Sequence, residues 1–96
     1  MSEERHNFRL RVHGRVQGVG YRDWAIAEAT RLALRGWVRN RRDGTVEILV
    51  AGPAKIVEEF MGLCTQGPAP AQVEKIDVNR VDDGEPLPGF IRRPTL

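Results

Sequence analysis

Cysteine, lysine, aromatic residues and long apolar runs are all scarce in this sequence of 96 residues. Cys64 is the only cysteine, so we expect neither a disulfide framework nor a zinc site built from several cysteines. No apolar run approaches the roughly 20 residues that a membrane-spanning helix requires. The polar residues 1–6 lack the apolar segment of a signal peptide. Together these absences predict a cytoplasmic protein with no membrane partner.

Arginine dominates the basic residues, supplying 13 of the 15 positive side chains. The guanidinium fork is favoured where phosphate or carboxylate must be gripped, although a generally arginine-rich composition gives the same count. The isoelectric point near 9.2 also keeps nucleic-acid binding open as an alternative. The hydrophobic fraction of 41% is ordinary, and the length predicts one domain over residues 1–96 with an ordered core at about 7–93.

Hydrophobic periodicity predicts that strands and helices alternate along the chain. Phe8, Leu10 and Val12 alternate with polar side chains, which is typical of a half-buried strand. Asp43-Gly44 between two apolar runs is a strong hairpin signal. The predicted elements are a strand at 8–13, a helix at 22–34, strands at 37–40 and 45–50, a helix at 53–65, a strand at 73–81 with either a bulge near its start or a later start, and a short strand at 90–92.

This order predicts an α+β fold of the ferredoxin-like βαββαβ type, a mixed sheet with two helices on one face and a short extra C-terminal strand. Right-handed crossovers then place the four main strands in the order fourth, first, third, second. The first and second strands run parallel, so their C-terminal ends meet at one edge of the sheet, about 10 Å apart.

A glycine-rich loop leaves the first strand at this edge. Gly14, Gly18 and Gly20 fall within seven residues, and such glycines allow successive N–H groups to turn inward around an anion. The loop runs directly into a predicted helix start, where Arg22 can meet the same anion. Asn40 ends the second strand at the same edge. These residues predict a site for one phosphoryl group.

Three segments resemble the signatures of the acylphosphatase family. They are GRVQGVGYR at residues 14–22, GWVRN at 36–40 followed by DGTVE at 43–47, and GPAPAQV at 67–73. The resemblance extends from about residue 8 to residue 92. Relatives often carry glycine where the first helix ends, whereas this sequence has Ala33.

The resemblance implies a small enzyme that hydrolyses the carboxyl-phosphate bond of acyl phosphates to carboxylate and inorganic phosphate, without metal or cofactor. By motif position, Arg22 corresponds to the phosphate-binding arginine and Asn40 to the asparagine that holds the attacking water. The phosphate-binding loop corresponds to Gln17, Gly18, Val19, Gly20 and Tyr21. The expected partner is a small-molecule acyl phosphate, the protein is expected to be a monomer, and nucleic acid is not expected.

Two alternative functions remain open from the sequence. A binding module for an acyl or carbamoyl phosphate would keep the same pocket without useful catalysis. An RNA-binding domain of the same topology would need exposed aromatic residues on its central strands. Aromatic residues make up only 6% of the chain, and the strand at 45–50 has none.

Overall fold

The computed structural model describes residues 5–81 and 87–96, with side chains from residue 6 onward. Its elements are β1 (Arg5–Arg15), α1 (Tyr21–Arg31), β2 (Arg35–Asn40), β3 (Val46–Pro53), α2 (Ala54–Cys64), β4 (Gln72–Arg80) and β5 (Phe90–Arg92). Residues 82–86, which the sequence predicts to form a loop between the strands at 73–81 and 90–92, lie outside the described residues. No helix in the described part is long and apolar enough to cross a membrane.

The five strands form one sheet in the order β4-β1-β3-β2-β5. The ferredoxin-like α+β fold and the predicted order of the four main strands are therefore confirmed. β1 pairs antiparallel with β3 and β4, β2 pairs antiparallel with β3, and the short β5 adds to β2 in parallel. The predicted bulge also occurs, because His13 pairs with Lys75 while Gly14 pairs with Val73, which leaves Glu74 as the extra residue.

The core lies between the sheet and the two helices. α1 buries Tyr21, Ala25 and Ala29, and α2 buries Val57, Phe60 and Cys64. The central strands supply the fully buried residues of the opposing layer: Leu10, Val12, Val38, Val46, Ile48 and Val50. Because side chains alternate along a strand, the other face of the sheet carries the polar residues of β1 and β2.

Most element boundaries differ from the sequence prediction by one to three residues, and those around the glycine-rich loop and the end of α1 have a clear physical reason. α1 begins one residue earlier, at Tyr21, and ends at Arg31 because Ala33 adopts a left-handed φ of 58°. The Leu34 N–H then donates to the Ala29 carbonyl and the Ala33 N–H to the Thr30 carbonyl, which is a Schellman ending with alanine in the position usually given to glycine. β1 is longer than predicted and extends to Arg15, because Gly14 tolerates a φ of 123° within the strand.

Gly36 is required where β2 passes β3, and its replacement gives a direct test of the sheet. Its φ is 146°, and a Cβ atom there would collide with the backbone carbonyl of Leu49. We expect Gly36→Ala to lower the free energy of unfolding by about 3 kcal/mol, measured by urea denaturation. The matched control is Gly62→Ala within α2, where a Cβ atom meets nothing within 4 Å. That change is expected to stabilise the protein by up to about 1 kcal/mol; equal effects of the two changes would contradict the assigned close approach.

Glu47 is buried on the helix-free face of the sheet and is surrounded by guanidinium groups. Its side chain is 4% exposed, and its Oε1 accepts from Arg39 Nε at 2.8 Å and from Arg41 at 3.1 Å. Its Oε2 lies 3.5 Å from Arg9 Nε and 3.7 Å from Arg11. Burial alone would raise the pKa of Glu47, but its arginine partners outweigh that and hold the pKa below the ordinary glutamate value.

The lowered pKa makes part of the stability dependent on pH. The folded protein keeps Glu47 charged to a lower pH than the unfolded chain does. The stabilisation is therefore complete above the ordinary glutamate pKa of about 4.3 and is lost as the pH falls through the pKa of the folded state.

Glu47→Gln is expected to lower the free energy of unfolding by about 3 kcal/mol at pH 7, because it leaves the arginines without their common counter-charge. It should also flatten the stability profile below pH 5, measured by urea denaturation at several pH values. Asp77→Asn, at an exposed carboxylate, is the control; an unchanged acid limb in Glu47→Gln would refute this role.

Candidate active site

An open cleft lies where β1 and β2 end and α1 begins. Its empty volume is about 320 Å³, part of which is open to solvent. The lining residues are Val16, Gly18, Gly20, Tyr21, Arg22, Asp23, Asn40 and Arg92. Arg22 and Asn40 were predicted from separate segments of the sequence, and the fold brings both to one cleft. Three residues of the predicted phosphate-binding loop line the same cleft: Gly18, Gly20 and Tyr21.

The glycine loop enters α1 with a conformation that leaves the helix start open. Gly18 and Gly20 have φ of 73° and 82°, and Gly20 is the N-cap of α1. Because Gly20 has no side chain, no side-chain hydrogen bond caps the first turn. The first hydrogen bond within the helix runs from the Trp24 N–H to the Gly20 carbonyl. The amides before Trp24 have no partner within the helix. A helix start without a cap is suited to an anionic ligand, which can accept from these amides and meet the positive end of the helix dipole.

Arg22 lies half-buried in the first turn of α1. Arg22 makes no ion pair within residues 6–81 and 87–96, so its guanidinium is available to an incoming anion. The amides of the same helix turn and this fork form a combined donor set for a phosphoryl group.

Asn40 lies on the opposite side of the cleft, at the end of β2. Its backbone is held on both sides, by pairing with Val46 of β3 and by the Leu96 N–H, which donates to the Asn40 carbonyl at 3.2 Å. Its side-chain Oδ1 is buried and accepts no hydrogen bond from any described residue. A buried acceptor without a partner is uncommon, and in a residue that lines a cleft it is suited to accept a hydrogen bond from a water molecule or a ligand.

Gln17 connects the loop to the β2–β3 hairpin. Its Nε2 donates to the carbonyl of Arg41 at 2.7 Å and to the carbonyl of Thr45 at 2.9 Å. These carbonyls flank the hairpin turn that follows Asn40. The Gln17 side chain therefore fixes the distance between the glycine loop and Asn40, and it does not line the cleft.

Two other loop residues predicted for the site serve the core with their side chains. Val19 packs against the core cluster. Tyr21 is buried, and its hydroxyl donates to the Cys64 carbonyl at 2.6 Å, while burial raises its pKa so that the hydroxyl stays protonated. Burial likewise raises the pKa of the Cys64 thiol to about 12, which leaves no thiolate at neutral pH.

The sequence analysis missed Arg92, which lines the cleft from β5 and forms an ion pair with Asp23 of α1. A signal was present, because Phe90 is apolar and strand alternation places residue 92 on the same face as residue 90. Phe90 is indeed buried against the core, and Arg92 points to α1.

Comparison with known proteins identifies the family of this chain. The family model described as Acylphosphatase matches residues 8–91. The chain belongs to the acylphosphatase family. It is 54% identical over 86 residues to the acylphosphatase of Acidiphilium cryptum, covering 90% of this chain and 93% of that protein.

Solved acylphosphatase structures have the same fold. The crystal structure of acylphosphatase from Bacillus subtilis superposes with a TM-score of 0.87 at 38% identity, covering 91% of this chain and 97% of the other. An acylphosphatase structure from Coxiella burnetii gives 0.87 at 28% identity, covering 93% of each chain. The resemblance of the three signature segments to this family is therefore confirmed.

Gln17→Glu tests the connection between the loop and the hairpin in this acylphosphatase. The substitution keeps the shape of the side chain but replaces the donor by a carboxylate oxygen facing two carbonyl oxygens. We expect a loss of about 2 kcal/mol in the free energy of unfolding and a kcat for acyl phosphate hydrolysis lowered at least 10-fold. Gln66→Glu, at an exposed position after α2, is the matched control. Full activity of a normally folded Gln17→Glu variant would show that the connection is not needed.

Proposed function

We propose that Arg22 and the amides of the glycine loop bind the phosphoryl group of an acyl phosphate and that Asn40 orients the water that attacks it. The observation that carries this proposal is the combination of donors and acceptor in one cleft. An uncapped helix start and an unpaired guanidinium meet a buried amide oxygen that has no partner among the described residues.

The binding half of the proposal follows from charge and geometry. A phosphoryl group carries its negative charge on several oxygens, so donors converging from more than one direction bind it better than a single cation. The loop amides supply donors at the base of the cleft, and Arg22 supplies a fork from the start of α1. These donors also stabilise the charge on the equatorial oxygens as the bond to the leaving group breaks.

The catalytic half requires little beyond positioning. The leaving group of an acyl phosphate is a carboxylate, which departs without protonation. The Asn40 Oδ1 can accept a hydrogen bond from a water molecule and thereby direct a lone pair of that water toward phosphorus. Asparagine cannot act as a base, so we propose that the proton leaves to a phosphoryl oxygen of the substrate. The reaction then yields carboxylate and inorganic phosphate.

Two substitutions separate binding from chemistry. Arg22→Ala is expected to abolish both inorganic phosphate binding and turnover, because it removes the only cation on the loop side of the cleft among the described lining residues. Asn40→Ala is expected to keep phosphate binding while lowering kcat by about 10²–10³-fold, as for other single transition-state hydrogen bonds. The measurement is benzoyl phosphate hydrolysis in the presence of chelator, with phosphate binding followed by calorimetry.

Arg80→Ala and Asn79→Ala are the matched controls, because both residues are exposed on β4 at the far edge of the sheet. Normal turnover by Asn40→Ala would refute the role of Asn40. Phosphate binding by the wild type without any turnover would favour the acyl or carbamoyl phosphate-binding module. A salt-dependent shift of RNA at physiological ionic strength would favour the RNA-binding alternative.

We also propose that the enzyme is a single-domain, cytoplasmic monomer that acts on a small molecule and does not bind nucleic acid. The length of 96 residues supports a single domain, and a cleft lined by Arg22, Asn40 and Arg92 is suited to a small phosphorylated molecule. Size-exclusion chromatography with light scattering checks the monomer, for which a mass near 10.8 kDa is expected.

A further inference from the structure

We infer that Arg92 is a second phosphoryl-binding residue of the cleft, held in place by Asp23. This inference rests on the proposed function of the same site. Arg92 lies on β5, the edge strand next to β2, and so belongs to neither the glycine loop nor the hairpin.

The backbone of Arg92 is fixed close to Asn40. Arg92 pairs with Val38 in the parallel β2–β5 ladder, and the next N–H, that of Arg93, donates to the Val38 carbonyl at 2.9 Å. Asn40 lies two residues beyond Val38 and on the same face of the sheet, so strand spacing places the Cα atoms of Arg92 and Asn40 roughly 8 Å apart. An arginine side chain spans most of that distance, which puts its guanidinium within reach of a group bound beside Asn40.

The ion pair with Asp23 holds the side chain of Arg92 across the cleft. Asp23 follows Arg22 in the first turn of α1, and both residues line the same cleft as Arg92. The pair links β5 to the start of α1, so the Arg92 guanidinium lies beside the first turn of that helix. A guanidinium has five N–H donors and one carboxylate does not occupy them all, which leaves donors for a second anion.

The charges of the cleft support direct binding. Two guanidinium groups and one carboxylate line it, so the cleft carries one excess positive charge. Without Arg92, the charges of Arg22 and Asp23 would cancel at the place where a phosphoryl dianion must bind. Arg92 offsets Asp23 and adds its N–H donors to those of Arg22 and the helix start.

The experiment compares Arg92→Gln with Arg93→Gln in the full chain. Arg93 is the matched control, because it follows directly in the sequence but its guanidinium stacks over Trp37, 5.4 Å from the ring centroid. We expect Arg92→Gln to raise both the KM for benzoyl phosphate and the competitive inhibition constant of inorganic phosphate about 10-fold, as for loss of a charge-assisted hydrogen bond. Arg93→Gln should change both by less than about 2-fold. Arg92→Lys, which keeps the charge, should recover part of the affinity.

The double variant Arg92→Gln/Asp23→Asn separates two roles of Arg92: direct binding of the phosphoryl group and neutralisation of the Asp23 charge. If Arg92 donates to the phosphoryl group, phosphate affinity stays low when Asp23 is also neutralised. If Arg92 acts only by offsetting Asp23, the double variant recovers the affinity of the wild type, and the inference is wrong. An unchanged inhibition constant in Arg92→Gln also overturns it, whatever happens to the KM.

Thermal unfolding with and without inorganic phosphate keeps this test independent of turnover. Phosphate raises the Tm only to the extent that it binds the folded protein. If the wild type bound phosphate but did not hydrolyse benzoyl phosphate, the proposed catalytic function would fail, while the phosphate-induced shift would still test Arg92. A smaller shift in Arg92→Gln than in Arg93→Gln supports the inference, and equal shifts refute it.

Discussion

The two hydrogen bonds from Gln17 are the contacts on which the geometry of the site depends. β1 and β2 are separated by β3, so the sheet alone leaves a gap between the glycine loop and Asn40. The Gln17 amide spans it by donating to the carbonyls of Arg41 and Thr45, the two ends of the hairpin turn. The Arg41 N–H also donates to the Thr45 carbonyl, at 2.8 Å, so this carbonyl oxygen accepts hydrogen bonds both from within the turn and from Gln17. Loop and hairpin are thus one rigid unit, and neither side of the cleft is positioned independently.

The two faces of the sheet use arginine for different purposes. On the helix-free face, four guanidinium groups surround the buried carboxylate of Glu47, and these ion pairs stabilise the fold. On the helix face, Arg22 has no ion pair among the described residues, and Arg92 shares one exposed carboxylate. An arginine-rich composition by itself could not distinguish these roles. The alternation of β1 and β2 does so, because it directs Arg9, Arg11 and Arg39 away from the cleft.

The sequence predicted most of the fold because each element carried its own local signal. Strict alternation defined β1, Asp43-Gly44 defined the hairpin, and right-handed crossovers then determined the strand order. The end of α1 was harder to predict, since Ala33 takes a left-handed conformation that normally requires glycine. The local backbone hydrogen bonds of the Schellman ending, from Leu34 and Ala33 to the last turn, stabilise an ending that residue preferences disfavour.

The candidate site was predicted less completely than the fold, for a related reason. Arg22 and the glycine loop are continuous in sequence, whereas the contacts of Gln17 and Arg92 join residues far apart in the chain. Sequence patterns place Gln17 in the loop, but they do not say that its side chain turns away to the hairpin. Arg92 was predicted to lie in a strand, yet only the pairing of β5 with β2 shows that this strand ends beside Asn40.

The position of Asn40 is set by the backbone of the sheet and not by its side chain. Its Oδ1 accepts no hydrogen bond from any described residue. The surrounding backbone nevertheless holds Asn40 in place, through β3 on one side and the Leu96 N–H on the other. In the mechanism that we propose, this backbone orients the Asn40 oxygen before the substrate arrives. A position that the sheet already determines needs no reorganisation when the attacking water binds.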